Sequence, residues 1–302
     1  MKKPTRAING VLLLDKDCGA SSNRVLQQSK RLYQAAKAGH TGSLDPLASG
    51  VLPICFGEAT KFARFLLDAD KTYLVTAKLG VVTNSGDAEG QIIATNPVPA
   101  FTTEFIKTTI ATFMGAGKQI PSMFSALKHN GQPLYKLARQ NITIERPVRD
   151  IFVYSYELLG MTADTITCEI SCSKGTYIRS LIEDLGQVLG CGAHVTMLRR
   201  TKAGPFAIDN SHTLASLEQN SDLDSLLLPM ECLLGGLQKV IISNSDAQLI
   251  RNGREIANSN PEHDTKIVAL LTNENELLGI AEARNDGNIV PLRLVATQLT
   301  VI

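Results

Sequence analysis

At 302 residues the chain reaches the length at which a single hydrophobic core tends to split, so we expect two domains. A hydrophobic content of 44% is ordinary for a soluble protein, and no apolar run approaches the ~20 residues of a membrane span. The apolar run at residues 11–14 is followed by Asp15 and is too short for a signal peptide. We therefore expect a cytoplasmic protein that does not associate with membranes.

The net charge of +1 conceals an uneven distribution of charges along the chain. Residues 118–149 carry six lysines and arginines against one acid, whereas residues 203–238 carry five acids and no lysine or arginine. The first stretch is suited to contact phosphates, and the second would repel them. A solvated charged surface explains the basic stretch equally well, so the charge pattern alone leaves nucleic-acid binding open.

The six cysteines include no CxxC pair. Cys168 and Cys172 lie in an alternating stretch that puts them with Ile170 on one face of a strand, which predicts buried thiols rather than metal ligands. Cys191 and His194 have a ligand-like spacing, but no second pair accompanies them. We therefore expect no metal site.

Hydrophobic periodicity and capping residues predict the elements of the first half of the chain. Residues 10–16 form a short buried strand, and Ser21 or Ser22 caps a helix that runs to Ala38. The other elements predicted in this half are a helix at 59–67, a strand at 72–82 and a helix at 102–114.

The second half of the chain changes from mixed elements to short strands. Residues 151–159 and 165–172 alternate like paired antiparallel strands, and residues 177–189 fit a helix with one apolar stripe. Residues 213–237 are predicted to form a helix and a connector. Beyond Gln238, short strands are separated by turns at 252–253, 273–275 and 286–287. This order predicts an α+β domain with a large mixed sheet, followed by a compact β-rich domain.

The most distinctive segment is residues 39–53, GHTGSLDPLASGVLP, in which Asp45 is the only acid and His40 the only other titratable side chain. Glycines permit backbone conformations that a side chain forbids, and Pro46 directs Asp45 away from helical geometry. Such a loop can hold one carboxylate rigidly at the edge of a cleft, as a nucleophile requires. An aspartate in an ordinary turn gives the same local pattern.

The complete fifteen-residue string resembles the GHTGTLDPLATGVLP-type segment of the bacterial tRNA pseudouridine-55 synthases, the TruB family. Ser43 and Ser49 differ from that segment only by the exchange of one small hydroxyl residue for another. Because the aspartate is the catalytic nucleophile in this family, the resemblance implies that role for Asp45. The resemblance covers most of the chain and is strongest from Gly10 to Pro205.

Two further segments resemble family motifs that contact the target base. KTYLV at 71–75 implies that Tyr73 packs against the base and takes part in proton removal. On local pattern alone, Tyr73 is an aromatic residue of a strand that packs in a core. MLRRT at 197–201 implies that Leu198 presses on the base, which is compatible with a core position.

GTYIRSL at 175–181 matches a third motif of the family. It implies that Arg179 pairs with Asp45 and that Tyr177 lines the uridine pocket; a guanidinium beside a carboxylate favours the ionised form of the carboxylate. Without the motif, Arg179 is a surface arginine near the start of a helix. The resemblance also implies that His40 fills the space that the flipped base vacates, whereas a lone histidine is otherwise a packed or surface residue.

The remaining similarities concern the parts of the chain that surround the site. Residues 121–128 and 133–136 resemble the family's mobile thumb, an insertion at about 118–149 that closes over the T-arm. Residues 13–16, LLDK, resemble the family's opening motif, which usually continues with a proline; Asp17 stands there instead. The candidate hinges of the thumb are Gly115, Gly117 and Gly131.

The resemblance implies a pseudouridine synthase catalytic domain over residues 1–238, with a large mixed, mainly antiparallel sheet, and a PUA-like RNA-binding domain over residues 239–302. The implied reaction isomerises uridine 55 in the T-loop of tRNA. The N1–C1′ bond breaks, and the uracil turns and rejoins through C5, which requires no cofactor and no metal. We expect a monomer that binds the T-arm of tRNA without an obligate protein partner.

Two other classes of function stay open on the residues alone. An RNA-binding or tRNA-folding protein in which catalysis is secondary would use the basic thumb and the β-rich tail without Asp45. An aspartyl-phosphate enzyme usually has a second acid two positions after the first, where this chain has Leu47. The sequence also leaves open whether Asp45 attacks C1′ or C6 or promotes a glycal route.

Overall fold

The computed structural model describes residues 5–258 and 266–296, and its largest element is a ten-stranded mixed sheet. Two of its strand pairings are parallel and the others are antiparallel, so the predicted large, mainly antiparallel mixed sheet is confirmed. The strands along the sheet are His212–Thr213, Gly10–Lys16, Ser49–Phe56, Ala193–Ala203, Lys71–Leu79, Thr165–Cys172, Arg149–Met161 and Gly115–Gln119, with Ala38–His40 beside Ser49–Phe56 and Phe206–Ala207 beside Ala193–Ala203.

Helices and two short strand pairs complete this part of the chain. The pairs are Val81–Thr83 with Ile92–Thr95 and Lys128–His129 with Gln132–Pro133. The α-helices are Ser22–Leu32, Arg64–Leu67, Thr103–Ala111, Leu134–Ala138, Ile178–Val188 and Leu214–Gln219, and the 3-10 helices are Gly57–Lys61, Ile208–Asn210, Asp224–Leu226 and Met230–Leu234. Across the described residues, no helix combines the length and the apolar character needed to cross a membrane.

The main core lies between the sheet and three helices, Ser22–Leu32, Thr103–Ala111 and Ile178–Val188. Alternation divides the first strand between two apolar clusters: Leu12 and Leu14 belong to the main core, while Val11 and Leu13 belong to a second one. The second cluster includes residues of the C-terminal sheet, so the two sheets share buried surface.

The predicted helix from Ser21 or Ser22 to Ala38 is wrong at its C-terminal end. Ser21 caps the helix by accepting a hydrogen bond from the Arg24 amide, as predicted, but the helix ends at Leu32. The next residue, Tyr33, is fully buried and donates its hydroxyl to the Leu223 carbonyl, and Gln34 follows with a φ of +51°. Burial of this ring turns the chain out of the helix, which overrides local propensity.

Two other predicted elements are interrupted. Residues 59–67 form a 3-10 helix, Gly57–Lys61, and a single α-helical turn, Arg64–Leu67, rather than one helix. The predicted strand at 72–82 breaks at Gly80, which has a φ of +81° and whose Cβ, if present, would lie 2.8 Å from the Asn96 carbonyl oxygen. Only glycine fits this left-handed, crowded position, so the strand divides there.

Three predictions made from alternation and periodicity are confirmed. The paired strands extend over Arg149–Met161 and Thr165–Cys172, and the helix predicted at 177–189 spans Ile178–Val188. Cys168 and Cys172 are buried free thiols on one face of their strand, as predicted. The helix predicted at 102–114 is shorter, Thr103–Ala111, with Thr102 as its cap.

The C-terminal part of the described chain forms its own five-stranded sheet, as the β-rich prediction requires. The predicted turns at 252–253, 273–275 and 286–287 are present. The helix Asn244–Arg251, capped by Ser243, has no counterpart in the predicted elements. The strand order is Gln238–Ile242, Lys266–Thr272, Leu277–Ala283, Asn288–Leu294 and Ile256–Ala257.

Candidate active site

Asp45 lies in the loop between strands Ala38–His40 and Ser49–Phe56. The loop is fixed from both sides of the aspartate. The Ser22 hydroxyl, at the first turn of its helix, accepts from the Leu44 amide at 2.7 Å and donates to the Leu44 carbonyl at 2.9 Å. On the other side, the Ala48 amide donates to the Asp45 carbonyl at 3.1 Å. These bonds give the loop one conformation without help from a ligand.

The opening motif supports the same loop through a buried lysine. Lys16 is fully buried, and its ammonium donates to the carbonyls of Asp17 at 2.9 Å and Ala20 at 2.6 Å. The Gly19 amide donates to the Pro46 carbonyl at 2.7 Å. All of these acceptors are backbone carbonyls, which any residue supplies. Asp17, which stands where a proline is usual, is therefore compatible with this support.

Arg179, at the start of helix Ile178–Val188, is the central cation of the site. Its Nε lies 3.0 Å from Asp45 Oδ2, which is the ion pair predicted from the GTYIRSL segment. Its Nη1 and Nη2 donate to the carbonyls of Ser85 and Phe124, each at 2.8 Å. The side chain is only 3% exposed, so the guanidinium is held between the Asp45 loop and two other segments of the chain.

Asp87 is a second carboxylate at Arg179 that the sequence analysis missed. It is 4% exposed, and its Oδ2 lies 3.5 Å from Arg179 Nη1. Its other oxygen accepts from the Ser85 hydroxyl at 2.6 Å and the Glu89 amide at 3.1 Å. The local sequence TNSGDAEG predicts only a turn. The tertiary fold places this segment next to Arg179. One arginine therefore joins two acids from distant parts of the chain.

The charge state of Asp45 is set by opposing effects. Its side chain is 38% exposed towards a cavity, but protein surrounds it on the other sides, and this loss of solvation raises its pKa above the ordinary value. Arg179 acts against this rise, and the nearby charge of Asp87 adds to it. Arg179 thus favours the ionised form of the carboxylate against the effect of burial.

Five of the six predicted site residues line one cavity of about 380 Å³. This volume falls in the range of small-ligand sites. The predicted residues in the lining are Asp45, Tyr73, Tyr177, Arg179 and Leu198. Leu198 is also part of the main core, so its predicted core position is confirmed and is compatible with a place at the cavity. The cavity unites an acid, two aromatic rings and an aliphatic side chain.

His40 is not among the residues that line the cavity. It is half-buried at the end of strand Ala38–His40, and its Nδ1 is buried without a hydrogen-bond partner. Burial, with a smaller contribution from the charge of Arg200, lowers its pKa. His40 is therefore a neutral imidazole beside the Asp45 loop.

Two cations that the sequence analysis did not assign, Lys71 and Arg200, also line the cavity. The Lys71 ammonium donates to the carbonyls of Leu66, Leu67 and Ala69. Burial, followed by the charge of Arg200, lowers the pKa of Lys71 to about 8. Within the described parts of the chain, no three or more His, Cys, Asp or Glu side chains are grouped in a way that could hold a metal ion.

The fold and the site define a class of protein. The crystal structure of a Cbf5-Nop10-Gar1 complex is similar, with a TM-score of 0.73 and 27% identity over 95% of this chain and 84% of that one. The architecture is therefore a TruB/Cbf5-like pseudouridine synthase fold, in which the Asp45–Arg179 pair lies at the cavity beside the large sheet.

Sequence comparison gives the family. The model for the N-terminal domain of TruB family pseudouridylate synthases matches residues 30–178, the tRNA pseudouridylate synthase B C-terminal domain matches 179–235, and the C-terminal domain of pseudouridine synthase II TruB matches 239–295. Proteins named tRNA pseudouridine synthase B are similar: that of Actinobacillus succinogenes is 48% identical, covering 97% of this chain and 96% of the relative, and that of Haemophilus influenzae is 49% identical, covering 97% of both. The chain belongs to the TruB family of pseudouridylate synthases.

Proposed function

We propose that the protein converts uridine 55 in the T-loop of tRNA to pseudouridine, with Asp45 as the nucleophile. The observation that carries the proposal is the ion pair between Asp45 and Arg179 at a cavity lined by aromatic rings, in a chain of this family. The name of the curated relatives, tRNA pseudouridine synthase B, supports tRNA as the substrate.

The cavity suits a single base removed from a stack. Tyr73, Tyr177 and Leu198 offer two ring faces and an aliphatic surface, which is how proteins hold an extruded base. Extrusion costs a few kcal/mol, and stacking on these side chains offsets part of that cost. His40, as a neutral imidazole beside the loop, is suited to fill the space that the base leaves in the RNA.

The reaction uses the Asp45 carboxylate next to the sugar of the extruded nucleotide. Asp45 attacks C1′ or C6, or promotes elimination to a glycal, and each route requires its ionised form. The N1–C1′ bond breaks with its electron pair moving to the uracil. The uracil turns, a C5–C1′ bond forms, C5 loses its proton, and N1, which holds the electron pair of the broken bond, takes up a proton. Atoms and charge balance within the nucleotide, so the isomerisation needs no group from outside.

The basic thumb supports an RNA substrate. Lys118, Lys128, Lys136 and Arg139 are exposed in the segment from 118 to 149, and cations there can meet the phosphates of the T-arm. We propose residues 1–238 as the catalytic domain and 239–302 as a PUA-like second RNA contact. We also propose a cytoplasmic monomer; the cavity is lined by residues of this one chain, which supports action without an obligate protein partner.

The proposed function is tested by mapping pseudouridine in transcribed tRNA after incubation with the purified protein. Conversion is expected at position 55 alone and is expected to be absent from a transcript with cytidine there. The variant Asp45→Asn should be inactive, whereas Asp68→Asn, which removes an exposed carboxylate near the same cavity, should be active. Conversion by Asp45→Asn would overturn the role of Asp45. RNA binding without conversion by the wild-type protein would favour the tRNA-folding alternative.

A further inference from the structure

Arg200 is a buried cation to which the proposed reaction assigns no role. Its side chain is 1% exposed. Its Nε donates to the Val51 carbonyl at 2.8 Å and its Nη2 to the Gly42 carbonyl at 3.2 Å. Among the described residues it forms no ion pair with a carboxylate. A buried charge without a counter-ion is costly to a fold, so the group that this guanidinium faces needs to be identified.

Arg200 lies directly opposite Tyr73 in the large sheet. In the antiparallel pairing of strands Ala193–Ala203 and Lys71–Leu79, Arg200 is the direct partner of Tyr73, so the two side chains project from the same face of the sheet. Both residues line the cavity, and Arg200 lowers the pKa of the Tyr73 phenol. Cys172 and Asp45 are the other ionisable groups that act on this phenol.

The position of Arg200 is fixed independently of any substrate. Its strand also pairs in parallel with Ser49–Phe56, where Arg200 is opposite Gly50. Gly50 has a φ of +106°, and a Cβ there would lie 2.2 Å from the Arg200 carbonyl oxygen. This close approach, with the two carbonyl acceptors, holds the arginine in one place. A preorganised guanidinium therefore belongs to the residue directly opposite Tyr73 in the sheet.

We propose that Arg200 is the positioning residue for Tyr73, donating to its phenol oxygen and compensating negative charge on that oxygen while it removes the proton from C5. The proposal rests on the proposed function. The phenol first loses its proton to solvent. After the C5–C1′ bond has formed, the C5–H electron pair returns to the ring, and the proton passes to the phenolate oxygen. A guanidinium suits this task because it stays charged and always donates.

The charges around the phenol agree with this arrangement. Burial is the largest effect on Tyr73 and raises its pKa, whereas Arg200 lowers it. The charge of Asp45 and an ionised Cys172 act in the same direction as burial. Arg200 is thus the group that opposes this rise, and its loss would reduce the phenolate available at a given pH.

The test follows C5-hydrogen loss in single turnovers with T-arm RNA that carries tritium at C5 of the target uridine. Arg200→Lys and Arg200→Met are expected to slow tritium release by about 100-fold and to move the limb on which the rate rises with pH to higher pH, with RNA affinity nearly unchanged. Arg199→Lys is the matched control, because the adjacent Arg199 pairs with Asp15 at 2.7 Å instead. Its profile should stay at the wild-type position.

A double-mutant cycle separates this role from a purely structural one. In a Tyr73→Phe background, the substitution at Arg200 should change the release rate by less than about threefold. Equal losses in both backgrounds, or a rising limb that does not move, would overturn the proposal. If Arg200→Met does not fold, 3-fluorotyrosine at position 73 of Arg200→Lys decides: its more acidic phenol should restore part of the lost release rate, and no recovery overturns the proposal. Wild-type protein without tritium release would refute the proposed function instead.

Discussion

Removal of the Arg179 guanidinium should destabilise the fold and disable Asp45 together. The variant Arg179→Met loses the ion pairs to Asp45 and Asp87 and leaves two carbonyls, those of Ser85 and Phe124, without a donor. Breaking a buried ion pair by removing one partner costs about 3–5 kcal/mol. Because Asp45 is partly open to the cavity, we expect the free energy of unfolding to fall by about 3 kcal/mol, at the lower end of that range.

The same variant should change the pH profile of the reaction. Arg179 opposes the rise in the pKa of Asp45 that burial causes, so its loss raises that pKa further. The acidic limb of the single-turnover rate should therefore move to higher pH. Arg179→Lys keeps one charge but cannot reach all four partners of the guanidinium, so we expect an intermediate loss of stability and an acidic limb between those of wild type and Arg179→Met.

Chemical denaturation measures the change in the free energy of unfolding. The rate of tritium release from C5, measured as a function of pH, gives the position of the acidic limb. Lys174→Met is the matched control, because it removes an exposed cation that pairs with Asp68 and should cost less than about 1 kcal/mol. The reasoning is refuted if Arg179→Met loses no more stability than this control, or if its acidic limb coincides with that of the wild type.

Three further predictions concern stability. Asp45→Asn should keep or raise the melting temperature, because burial raises the pKa of Asp45 and so disfavours its charge; a drop of several degrees would contradict this. Burial raises the pKa of Glu183 to about 7, so the stability from its bound proton is lost as pH rises from the ordinary glutamate range through 7. Glu183→Gln should therefore stabilise the fold by on the order of 1–3 kcal/mol at alkaline pH and very little at about pH 4, and an equal gain at both would refute it. Gly50→Ala should destabilise by about 2–4 kcal/mol through its positive φ and a clash with Arg200, and an unchanged denaturation midpoint would refute the clash.

The parts of the structure that the sequence predicted depend on local rules or on long motifs. The strand pair Arg149–Met161 and Thr165–Cys172 follows from strict alternation, and the helix Ile178–Val188 follows from one apolar stripe. The ion pair between Asp45 and Arg179 was predicted from two segments that resemble those of one family. Neither residue alone differs locally from a turn aspartate or a surface arginine.

The parts of the structure that could not be predicted from the sequence depend on tertiary contacts. The sequence around Asp87 predicts only a turn. Arg199 and Arg200 are adjacent cations of one predicted segment, and only the strand register shows that Arg200 is opposite Tyr73 while Arg199 pairs with Asp15. The first helix ends early because Tyr33 is buried, which periodicity does not reveal. No local signal separates these outcomes.

Tritium release from C5 of the target uridine tests the central claim, catalysis by Asp45, most directly. Isomerisation through C5 must release that hydrogen, so a T-arm RNA labelled there reports each conversion. With wild-type protein in excess, we expect release from every bound RNA, and with Asp45→Asn we expect RNA binding but no release. Release by Asp45→Asn at a rate near that of the wild type would contradict the assignment of Asp45 as the nucleophile.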